Sequence, residues 1–215
     1  MKHIFIFVPA MMTLLLVGNA SADIRSTRHN FSVSGGGPLD KYGKREICVY
    51  CHTPHSKKRA SPVWNRGDAG RVYVKYWSPT LDAYPEGGAP PIDGVSRLCL
   101  SCHDGTVALG KALRSGRPSQ FRRRSGRPPS IDLAGSHPLS FVITQSLIAR
   151  NNARDMPLKP LVEMMADPDV KLDGEGKIQC TTCHDPHDNK HKVSSGVPLY
   201  RKPTWEGVCL TCHVY

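Results

Sequence analysis

Four segments of the 215-residue chain carry two cysteines and a histidine at one fixed spacing: CVYCH (Cys48 to His52), CLSCH (Cys99 to His103), CTTCH (Cys180 to His184) and CLTCH (Cys209 to His213). Together they use all eight cysteines. The chemistry that suits this spacing is covalent haem attachment, in which each thiol adds across a porphyrin vinyl group and the adjoining imidazole binds the iron. The sequence therefore predicts four haem c groups. Their thioethers would form at Cys48, Cys51, Cys99, Cys102, Cys180, Cys183, Cys209 and Cys212, with His52, His103, His184 and His213 as proximal iron ligands.

Zinc ribbons, redox pairs and disulfide scaffolds also use Cys-x-x-Cys, but none requires histidine in the fifth position. Ten histidines in 215 residues would fill all four such slots by chance about five times in a million.

Four more axial ligands are needed if no iron is to stay open. Past residue 22 the histidines outside the motifs are His29, His55, His137, His187 and His191. His55 and His187 each follow a motif histidine by three residues, in CHTPH and CHDPH, where Pro54 and Pro186 prevent simple helical continuation. So short a reach keeps each on the proximal side of its own porphyrin. Each should instead ligate a neighbouring haem, drawing the haems into close pairs. His137 lies in the loop GSHPLSF between the second and third motifs, placed to act as a distal ligand. His29 could serve the first haem or a haem of another subunit. His191, in the polar run DNKHK, reads as a solvent-exposed residue. The expected distal set is thus His29, His55, His137 and His187. Methionine competes weakly: Met1, Met11 and Met12 fall in the leader, and Met156, Met164 and Met165 cluster on one segment.

The elements that must hold these groups have little apolar material of their own. Hydrophobic residues make up 39% of the chain, beside 19 glycines and 18 prolines. A chain so composed buries little surface by itself, so haems must form the core. The expected fold is mostly irregular coil with a few short α-helices and minimal β-structure, one haem for roughly every 50 residues. Short helices are expected over 97–109, interrupted at Gly105, over 158–166 before Pro168, and from the Thr204 cap on to residue 213; residues 71–77 could form a short strand.

Residues 1–22 read as an export signal: Lys2, an apolar stretch over 4–18 broken by Pro9, and Ala20-Ser21-Ala22 as a cleavage site. A membrane anchor would want about 18 or more unbroken apolar residues. Cleavage after Ala22 leaves one tetrahaem domain at 23–215, with no membrane span expected. An oxidising compartment agrees with the cysteine usage. Within the domain, residues 113–130 (LRSGRPSQFRRRSGRPPS) carry six arginines and should form a mobile loop. That loop is either a solvated insertion or a docking patch for an anionic partner. The formal charge of +11 suggests acidic partners at first sight. Eight haem propionates would offset much of it, so nucleic acid is not an expected partner.

In order along the chain, HNFS, CVYCHTPH, PVWNR, YWSPTL, RLCLSCHDGT, SHPLSF, QCTTCHDPHD and VCLTCH resemble the tetrahaem cytochromes related to outer-membrane cytochrome E (OmcE). The resemblance covers about residues 29 to 213. It implies an exported protein with bis-histidine haems, and a family that includes extracellular filaments conducting electrons away from respiring cells. His29, His55, His137 and His187 fall on its distal-ligand positions, one of which could cross a subunit boundary. The arginine-rich 113–130 segment departs from the family pattern.

The function these features predict is electron transfer without catalysis, as a filament subunit or as a soluble periplasmic shuttle. The cell surface is the expected location, with other redox proteins, extracellular acceptors or copies of the same chain as partners. A multihaem reductase would want an open iron and often an altered attachment motif, and neither is visible. A storage role gains nothing from paired haems. His29 near the mature start and the last motif near residue 215 suit end-to-end contact between copies.

Overall fold

The computed structural model describes residues 23–27, 29–35, 46–52, 72–84, 88–103, 132–154, 157–188, 190–191 and 199–214. The expected signal at 1–22, His55 and the arginine-rich segment 113–130 lie outside these residues. Irregular backbone and turns dominate the described chain. It holds short 3-10 turns at Ile24–Ser26, Val33–Gly35 and Cys48–Tyr50. Its helices are α1 (Gly94–His103), α2 (Gln145–Asn152), α3 (Leu161–Ala166), α4 (Cys180–Cys183) and α5 (Trp205–Cys209).

Local chemistry accounts for where these helices start. Thr144 caps α2 by accepting the Leu147 N–H on Oγ1 at 3.1 Å, and Thr204 caps α5 in the same way from Gly207 at 3.0 Å. The third helix begins three residues later than the sequence suggests. Leu158 is engaged in an antiparallel bridge with His213, the Lys159 N–H donates to the Cys212 carbonyl at 2.8 Å, and Pro160 occupies the N-cap. Tertiary pairing thus takes the backbone that helix would have used. The expected strand over 71–77 shrinks to β1 (Val74–Lys75), which pairs in parallel with β2 (Asp132–Leu133) in the register Val74 to Asp132 and Lys75 to Leu133.

The largest apolar cluster gathers Phe141, Ile143, Leu147, Ile148, Met164 and Ile178. Backbone bonds from Ser140 to Ile178 at 2.8 Å, from Ile178 to Phe141 at 3.0 Å and from Ile143 to Gly176 at 3.1 Å bring two segments together across it. A smaller cluster holds Tyr73, Ile92 and Leu100 against the inner face of α1. Each such side chain contributes about 1.5–3 kcal/mol by leaving water. Much apolar surface stays outside: Val72, Trp77 and Val162 are 89%, 72% and 73% exposed. The apolar core among the described residues is therefore small. Among the described residues no helix is long and apolar enough to cross a membrane.

Candidate functional site

Each of the four motifs folds into one turn of helix. The histidine N–H donates to the carbonyl of the first cysteine at 2.8 Å in the first motif, 3.0 Å in the third and 2.9 Å in the fourth. The second motif forms the last turn of α1. Residues i, i+3 and i+4 of a helical turn share one face, so both sulfurs and the imidazole of a motif lie along the same side. That is the geometric content of the spacing. No disulfide links any of the eight cysteines.

Helices α1 and α4 set the second and third motifs side by side. Between them lies Gln179, 1% exposed. Its Oε1 accepts the Ser96 N–H at 3.2 Å and also the Ser96 hydroxyl. Its Nε2 donates to Asp173 at 2.9 Å and to Asp93 at 3.2 Å. The Cys180 N–H closes the network by donating to Ser96 Oγ at 2.9 Å. Gly94 makes this approach possible: its φ is +51°, and a Cβ there would stand 2.8 Å from Gln179 Nε2. Sequence reasoning did not single out Gln179 or Ser96. Neither residue type nor spacing marks a clamp formed between distant segments.

The clamp brings Cys99 and Cys180 within hydrogen-bonding reach. Cys99 is held well up by its bond to Cys180 and by burial, while Cys180 is held down by the same bond and by Ser96. Cys51 and Cys102 add their charges to Cys99. Burial, with Cys212, Cys209 and Cys180 nearby, pushes the Cys183 thiol up to about 11.

Three of the four expected distal histidines each meet a different motif histidine. The ring centres of His187 and His52 are 6.2 Å apart with planes at 18°. His29 and His103 are 5.8 Å apart at 52°, and His137 and His213 are 6.4 Å apart at 73°. Two imidazoles on opposite sides of one iron, each bonded through nitrogen at roughly 2 Å, place their centres about 6 Å apart. Plain aromatic contacts fall in the same distance range. Each of the three rings is nevertheless matched to a different motif histidine. His187 thus approaches the first motif and not its own, as the short reach of CHDPH requires. His29 meets the second motif of its own chain, where the sequence pointed to the first motif or another subunit. His55 lies outside the described residues. His184, the motif histidine left without a described partner histidine, stacks on Tyr200 at 4.9 Å and 22°. His191 is half-buried, not exposed, in a hollow lined by Asp188, Tyr200 and Arg201.

Two of these three rings meet an oxygen at Nδ1. A ligating histidine usually hands its second N–H to a carbonyl or carboxylate, which fixes the tautomer and turns the free nitrogen to the metal. His137 Nδ1 is 2.8 Å from the Pro138 carbonyl, and His187 Nδ1 is 3.5 Å from Asp185 Oδ1. His29 Nδ1 is buried and meets no hydrogen-bond partner among the described residues. Such an atom is costly unless an acceptor of its lone pair or proton is present. Burial, with His103 and His187 close by, pushes the His29 ring down to about 4; burial also lowers His103, His184 and His213. These rings are neutral near pH 7, the form that can donate to a metal. His187 is raised by its bond to Asp185 against burial. Among the described residues no three His, Cys, Asp or Glu side chains converge on one point, as the closed cage of structural zinc requires.

Comparison of the sequence with protein-family models and with curated proteins finds no match.

Proposed function

We propose that the protein is an electron carrier with four covalently attached haem c groups, each iron closed by two histidines. The observation that carries this reading is the meeting of His187, His29 and His137 with His52, His103 and His213 at 5.8–6.4 Å. His55 and His184 form the remaining pair by elimination. Bound haem supplies reversible one-electron exchange. The chain would do the rest: the motif thiols would hold each haem, the paired imidazoles would ligate its iron, and the Gln179 clamp keeps the second and third motif turns side by side. With both positions filled, no substrate can bond the iron, so the protein relays electrons and catalyses nothing.

Residues 1–22 direct export, and the resemblance of residues 29 to 213 to the OmcE-related cytochromes supports an extracellular filament of identical subunits. Such a filament would pass electrons to other redox proteins or extracellular acceptors. Intact mass spectrometry of the purified protein is expected to show the increment of four haems on the chain; a haem-free mass contradicts the proposal. Negative-stain images of material sheared from cells should show rods. A single species of monomer mass would instead leave a soluble periplasmic shuttle.

A further inference from the structure

Asp185, in the middle of CHDPH, is held at every end. Its backbone N–H donates to the Leu199 carbonyl at 2.8 Å. Its Oδ1 accepts the His187 backbone N–H at 2.9 Å and lies 3.5 Å from His187 Nδ1. Its Oδ2 lies 3.2 Å from Arg201 Nη1. Arg201 is fixed in turn, with Nε donating to the Thr181 carbonyl at 2.6 Å and its backbone N–H donating to Cys183 at 3.0 Å. Asp185 and Arg201 side chains are 26% and 24% exposed, so this pair is not a free surface contact. His187 therefore meets a fixed carboxylate at Nδ1 and the His52 ring at 6.2 Å.

We propose that Asp185 is a positioning residue that lowers the reduction potential of the iron shared by His52 and His187, an inference that rests on the tetrahaem reading above. A carboxylate facing Nδ1 favours a proton on that nitrogen and makes the imidazole a stronger electron donor. The oxidised iron carries one more positive charge than the reduced iron, so it gains more from that donor and the potential falls. Arg201 tempers the effect by drawing charge from the carboxylate. The corresponding residue of the first motif is Thr53, in CHTPH, which carries no charge. His55 therefore has no carboxylate at the corresponding place in its motif.

The test is a spectroelectrochemical titration of the holoprotein and its variants, with haem counted by mass on the same samples. Asp185→Asn keeps the backbone acceptor and the shape but removes the charge. Asp188→Asn removes an equal charge close by, from a carboxylate that accepts the Lys190 N–H at 2.7 Å and makes no such contact with His187. Asp185→Asn is expected to raise one of the four potentials by a tenfold change in the redox equilibrium, about 59 mV for one electron. Asp188→Asn should move it less than half as far, and Arg201→Gln should lower the same potential. With four haems intact, unchanged potentials in Asp185→Asn, or equal shifts in Asp185→Asn and Asp188→Asn, overturn the proposal. Should Asp185→Asn fail to retain haem, unmoved potentials in Arg201→Gln overturn it as well. A wild-type protein without haem would refute the tetrahaem reading itself.

Discussion

His137 and His191 separate two kinds of histidine that look alike in sequence. His137 is exposed, yet its Nδ1 is tied to the Pro138 carbonyl and its ring stands 6.4 Å from His213. His191 lines a small hollow with Asp188 and Arg201. His137→Ala should leave one iron of the holoprotein five-coordinate and high-spin, whereas His191→Ala should leave every haem low-spin, as read from the optical spectrum. At this scale the sequence was most legible. The number of thiols and imidazoles, and the inability of His187 to reach its own haem, follow from spacing alone. The partners did not follow: His52 with His187 and His29 with His103 are meetings of distant segments, which only the fold decides. Tyr200 against His184 carries no signal in the sequence.

Among the elements, the contact between α1 and α4 decides the relation of the second and third motifs. Gln179→Leu keeps most of the volume but leaves Ser96, Asp93 and Asp173 without their buried partner. The expected cost is about 2–3 kcal/mol in denaturant unfolding of the holoprotein. A second junction ties the end of α3 to α5. Lys202 Nζ lies 2.6 Å from Asp167 Oδ2, and Asp167 Oδ1 accepts the N–H groups of Asp169 and Val170 at 2.9 and 2.8 Å. Burial opposes the charge on Asp167, but these bonds prevail and hold its carboxyl below the ordinary 3.8. A carboxyl lowered by folding stabilises the protein above its ordinary value, and that stabilisation is lost as pH falls through the folded value. Unfolding midpoints should therefore drop below about pH 4, and Asp167→Asn should flatten part of that fall. The cap at Thr204 was readable as a helix signal. The late start of α3 and the two-residue β1 were not, because bridges such as Leu158 to His213 compete for the same backbone and have no local signature.

For the whole molecule, the apolar clusters among the described residues are small, and side chains such as Trp77 stay widely exposed. Low hydrophobic content and abundant glycine and proline made this legible from composition; where the few buried residues sit was not, since irregular chain has no period to read. Replacing the eight cysteines by serine should yield a chain with no cooperative thermal transition by circular dichroism. A cooperative transition would show that the chain folds without its haems.

If every iron is closed by two imidazoles, electron paramagnetic resonance of the fully oxidised holoprotein should show low-spin signals alone. The near-parallel rings of His52 and His187 should give a rhombic component, because aligned imidazole planes split the iron orbitals most, and the near-perpendicular His137 and His213 a more axial one. A high-spin signal amounting to one iron per chain would contradict it.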